Sequence, residues 1–75
     1  MSYCSERGYA VGDLFEVINK HTSSEYYIEK MIVRLHRDDS SEQPWFTYVS
    51  GPKNIYTDEV KQIAVPLDDV KKINT

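Results

Sequence analysis

Cys4, His21, His36 and the acidic pairs Asp38-Asp39, Asp58-Glu59 and Asp68-Asp69 are the residues whose types could do chemistry. A cysteine nucleophile needs a base to generate its thiolate. His21 and His36 could serve, but neither lies near Cys4 in the chain, and Cys4 belongs to a polar lead that makes a poor platform. An incidental surface thiol is expected. Zinc sites show close ligand pairs and at least three protein ligands. The two histidines stand fifteen residues apart and the nearest aspartates lie in a polar loop, so they read as surface histidines. General acid–base work needs carboxylates in unlike environments within a cleft. Adjacent carboxylates in loops read instead as solvated turn caps. Gly8, Gly12 and Gly51 are the only glycines and do not have the spacing of a phosphate-binding loop. The sequence therefore predicts no enzyme, with no catalytic, cofactor-binding or metal-binding residue.

Binding chemistry has more to work with. Six tyrosines, two phenylalanines and one tryptophan are generous for 75 residues, and Tyr, Trp and Arg are the favoured residues of interface hot spots. A core of this size must use Phe15, Trp45, Phe46 and some tyrosines for itself, which leaves one or two aromatics for a partner. Lys30, Arg34, Arg37 and Lys53 form a modest basic strip interrupted by Glu29, Asp38, Asp39 and Glu42. Stacking rings with basic neighbours are the ingredients of single-strand nucleic-acid binding, but the net charge of −3 argues against a dedicated binder.

The elements that must position these residues form one small domain. Apolar types make up 40% of the chain, enough for a single core, and a chain of this length buries only ~60% of its unfolded surface. The single cysteine rules out an intramolecular disulfide. No apolar run reaches membrane-spanning length and Met1 to Arg7 carry no signal-peptide core, so no membrane association and a cytoplasmic location are expected. Residues 1–8 read as a flexible lead and 9–75 as the globular domain.

Val11-Gly12-Asp13 reads as a turn leading into a strand through Leu14, Phe15, Val17 and Ile18. Residues 26–37 support two readings. As a helix, Tyr27, Ile28, Met31, Ile32 and Leu35 share one face, with Thr22 and Glu25 as a capping box. As a strand, Tyr27, Met31, Val33 and Leu35 share a face and Glu29 is out of place. Periodicity favours the helix; the content of tyrosine, isoleucine and valine favours the strand. Asp38 to Pro44 is a polar loop. Trp45 to Val49 alternates as a strand, with Trp45, Thr47 and Val49 on one side and Phe46 and Tyr48 on the other. Ser50 to Asn54 is a turn. Ile55–Thr57 and Val60–Val65 are short strand candidates, and Pro66 ends the latter. Leu67, Val70 and Ile73, three apart, suit a 3₁₀ turn running into a last strand.

Three of these stretches, about a third of the chain, resemble the SH3 family. Val11 to Ile18 is similar to its Gly-Asp strand that follows the first loop. Trp45-Phe46 after an acidic loop is similar to the paired aromatics of its third strand. Val65 to Ile73 is similar to its ending, where a proline opens a 3₁₀ turn and a β-branched residue begins the last strand. The aromatic motif of the proline-peptide groove has no match at residues 1–11. Asp69 stands where that groove carries a tyrosine, and Ile18 to Trp45 is longer than the family's spacing. The resemblance thus implies the small barrel without Pro-x-x-Pro binding, and it tips residues 26–37 towards a strand.

The expected fold is mainly β: a small SH3-like barrel of about five strands with a short 3₁₀ turn near the C-terminus. The alternative is α+β, with an amphipathic helix at about 23–37 on a small antiparallel sheet. The expected core includes Phe15, Val17, Ile32 or Val33, Val49, Ile63 and Val70. The expected function is a non-catalytic protein-interaction module, an accessory or inhibitor protein of phage or bacterial style, binding a larger protein through Arg34, Trp45 and Tyr48. The alternative is a weak nucleic-acid-binding module of the KOW or Tudor-like type.

Overall fold

The computed structural model describes residues 3–18, 27–53, 56–57 and 59–73. The capping box at 22–25, His21, Ile55 and Asp58 lie outside the described residues. The chain is mainly β. After a one-turn helix α1 (Tyr3–Glu6) come β1 (Leu14–Val17), β2 (Ile32–Arg37), β3 (Trp45–Ser50), β4 (Ile63–Ala64), a 3₁₀ turn (Leu67–Asp69) and β5 (Val70–Lys72). All strand pairs are antiparallel, in the order β4-β3-β2-β1-β5.

The second half of the ambiguous segment, Ile32–Arg37, is a strand, and residues 27–31 lead into it through a turn. Tyr27, Met31, Val33 and Leu35 are all buried, which is the period-2 face of the strand reading. Glu29 has its place too. It lies with Lys30 in a turn ahead of β2, where Lys30 takes a left-handed φ of 72°. The helical alternative is thereby excluded across residues 27–37. The reason is tertiary: β2 is the middle strand, bonded to β1 and β3 on its two edges.

The sheet does not close into a barrel, which corrects that part of the expected architecture. The terminal strands β4 and β5 do not pair with each other. Only Ile63 and Ala64 of the Val60–Val65 candidate pair with β3, and Tyr56 and Thr57 lie in a turn. Beyond Ala64 the chain follows the β2–β3 loop, with Val65 N–H donating to Pro44 O at 3.3 Å and Leu67 N–H to Glu42 O at 3.0 Å. Pro66, which has no N–H to give a ladder, precedes the 3₁₀ turn, and that turn separates β4 from β5.

The core lies on the inner face of the bent sheet. Phe15, Val17, Val33, Ile63 and Val70 are buried as expected. Phe15 is its centre, meeting Tyr9 edge-on at 4.8 Å and Phe46 at 5.4 Å. Val49 is not core: it is 40% exposed. The inner residues of β3 are Phe46, opposite Leu35, and Tyr48, opposite Val33. The pairing decides this, because residues directly opposite on adjacent strands share a face.

Residues 3–8, expected to be a flexible lead, bring a buried residue to the core. Cys4 is fully buried within the apolar cluster, so the expectation of a surface thiol was wrong. Gly8, at φ 75°, turns the chain after α1 so that Tyr9 N–H reaches Cys4 O at 2.8 Å.

Candidate interaction surface

Arg34 and Trp45 lie on the same outer face of the sheet, and a bulge brings Arg37 to it. Arg34 pairs with Thr47 and Arg37 pairs with Trp45, with a register shift between Leu35 and Arg37. Arg34 and Arg37 are three apart in sequence and would point to opposite faces of a regular strand. The shift inserts His36 as an extra residue and turns Arg37 outward, a common effect of β-bulges. The result is two rows across the sheet. One runs Ala64, Trp45, Arg37; the next runs Thr47, Arg34, Leu14. Below them Ile32 pairs with Glu16, and Glu16 with Lys71. Trp45 is 37% exposed, Val49 further along β3 is exposed, and both arginines are exposed.

The charges of this face are uneven. Glu16 stands opposite Lys71 in register. Arg34 and Arg37 make no ion pair with another described residue. The pKa of Asp39 is held below the usual carboxylate value chiefly by the hydrogen bond from Ser41 Oγ at 2.6 Å, with a smaller contribution from Arg37.

Tyr48 lies elsewhere. It shares the inner side of β3 with Phe46 and is half-buried against the core. Its hydroxyl donates to Gly51 O at 2.6 Å and Lys53 Nζ lies 5.4 Å from its ring centre. The hydroxyl is thus satisfied by the chain's own turn. That turn needs Gly51: φ is 96°, and a Cβ there would stand 2.9 Å from Lys30 O.

The residues weighed for chemistry are dispersed. Burial, followed by the neighbouring Asp38 carboxylate, pushes the Cys4 thiol up to about 11, so it stays protonated at neutral pH and is a weak nucleophile. His36 is exposed, its Nε2 3.1 Å from Gln62 Nε2. Asp38 and Asp39 accept hydrogen bonds from the backbone N–H groups of Ser40 and Ser41, the turn-cap role read from the sequence. Among the described residues, no three of His, Cys, Asp and Glu gather as a metal site would require. Asp68 is exposed and bridges to Arg7 at 3.2 Å. Asp69 departs from the solvated reading, being fully buried with Tyr27 Oη donating to its Oδ2 at 2.8 Å.

Sequence reasoning grouped Arg37 with Arg34 in a basic strip but left it out of the expected partner surface of Arg34, Trp45 and Tyr48, since strict alternation sets it apart from Arg34. No protein-family model matches the chain, and neither a curated protein nor a solved structure does.

Proposed function

We propose that the protein is a small non-catalytic interaction module that works by occupying a surface on a larger protein partner, as an accessory or inhibitory protein does. Its docking face is the outer sheet surface around Trp45, Arg34 and Arg37. The observation that carries the reading is Trp45 held outward beside two arginines on a rigid antiparallel sheet. Trp and Arg anchor hot spots because each offers large contact area together with directed hydrogen bonding. Phe46 takes the core position on β3, so the outward placement of Trp45 is not needed for packing. We read the fold as akin to SH3-like small β proteins with the sheet left open. Gly12-Asp13 leading into β1, Trp45-Phe46 opening the third strand, and Pro66 opening a 3₁₀ turn before Val70 support that kinship.

Affinity capture from a lysate of the source organism, with and without nuclease, tests the reading. The wild-type chain should retain a specific, nuclease-resistant protein, and folded Trp45→Ala and Arg34→Ala variants should lose it. Recovery of nuclease-sensitive material alone would favour nucleic-acid binding instead, and equal capture by the variants would remove this face from consideration.

A further inference from the structure

We infer that the occupant of the Trp45 face is an acidic, extended segment of a protein partner, with two carboxylates at alternate positions and an apolar side chain on the same side. This rests on the proposed interaction function and goes on to name the partner's chemistry. The two guanidinium groups are the starting point. Arg34 and Arg37 are exposed, share the outer face through the bulge, and have no described carboxylate paired with them. The chain as a whole carries −3, so this face runs against the charge of its own molecule. Guanidinium pairs carboxylate in a planar two-bond geometry, which makes an acid the best complement.

Spacing narrows the occupant further. Arg34 and Arg37 stand in the rows of Thr47 and Trp45, which are two residues apart on β3. Two residues of strand span about 6.5–7 Å. An extended peptide repeats its same-side residues at that interval, so two carboxylates at alternate positions can meet the two arginines together. Trp45, between Ala64 and Arg37, offers the apolar contact for a residue of the same segment. Desolvation by that contact strengthens the neighbouring charge pairs.

The same features disfavour a nucleic-acid strand. Trp45 is the only aromatic ring among the outward residues of β1 to β5, and sequence-tolerant single-strand binding uses successive rings. A long polyanion running past Arg37 would also approach exposed Asp39, which interacts with Arg37. A short acidic segment can end before it.

Selection of random 12-residue peptides on the intact protein tests the inference, with binding read from the fluorescence of the sole tryptophan. Selected peptides should carry Asp or Glu at two alternate positions, with an apolar residue at a further alternate position on the same side. The double variants Arg34→Gln/Arg37→Gln and Arg34→Glu/Arg37→Glu, shown folded by circular dichroism, should bind them about tenfold or more weakly. Replacing the peptide acids by lysine should restore binding to the charge-reversed protein. Neutral or basic peptides that need Trp45 would overturn the acidic partner and leave the interaction reading standing. Acidic peptides indifferent to the arginine substitutions would overturn the site. Failure to select any peptide would overturn the inference; joined to lysate capture without a specific protein, it would end the interaction reading as well. Binding of a thymidine 12-mer in place of peptides, lost on charge reversal, would assign the face to nucleic acid.

Discussion

Tyr27 donates its hydroxyl to the Asp69 carboxylate at 2.8 Å across 42 residues of sequence, and both side chains are fully buried. The bond fastens the 3₁₀ turn to the segment that leads into β2. A second tie, from Ile18 N–H to Asp69 O at 2.8 Å, anchors the same turn to the end of β1. A carboxylate taken out of water is tolerated only where hydrogen bonds replace its hydration. The pair therefore fixes how the last strand is delivered to the sheet.

Tyr27→Phe removes one partner from that carboxylate while keeping the ring. It should lower stability by about 1–3 kcal/mol, and a double-mutant cycle with Asp69→Ala should show a coupling of about 0.5–3 kcal/mol. Urea denaturation of the four proteins measures both. A Tyr27→Phe protein as stable as wild type would mean that the bond contributes nothing.

The facing of β3 can be checked with two substitutions. Phe46→Ala should cost about 3–5 kcal/mol, because it empties a ring-sized volume beside Phe15. Val49→Thr, on the exposed face, should stay within about 0.5 kcal/mol of wild type. The opposite order in chemical denaturation would place Val49 inside.

The C-terminal turn yields a second ordering. Pro66→Ala should cost about 0.4–1 kcal/mol, chiefly by freeing the unfolded chain. Val70→Ala should cost roughly 1–3 kcal/mol, since Val70 is buried against the core and paired with Val17. Equal or inverted losses in denaturation would contradict the packing of β5.

Cys4 predicts an alkaline effect of known sign. Its pKa is raised from 9.0 to about 11 in the folded chain, so the native state holds the proton more tightly than the unfolded state. The associated stability is complete below pH 9 and is lost as pH climbs from 9 through about 11. Between pH 8 and 10.5 the denaturation midpoint of wild type should fall further than that of Cys4→Ala. Native Cys4 should also react slowly with a thiol reagent at neutral pH and quickly once unfolded. Parallel pH profiles for the two proteins, or fast labelling of the native thiol, would contradict a buried, protonated Cys4.

Much of the strand content was legible from the residues. Leu14–Val17 follows its Gly-Asp turn, Trp45–Ser50 opens after Pro44, and the β-rich content of the segment before Asp38 was the sounder guide over a helical periodicity that also scored well. Period alone could not separate the two readings, because an interrupted strand and a helix both place apolar residues at intervals of three and four. Lys30, bent into a left-handed turn, is the interruption that mimicked the helix.

The sequence by itself determined the mainly β character and the ending in which Pro66 leads to a 3₁₀ turn and Val70. These follow from local rules: alternation, ring and branched side chains, and a residue that cannot donate to a ladder. Only the tertiary structure decided which side of β3 faces inward, that the sheet stays open, and that Cys4 and Asp69 are buried. Alternation defines two faces without ranking them. The ranking came from pairing, where Leu35 opposite Phe46 fixed the inner face and the shift before Arg37 carried a second arginine to the side of Trp45.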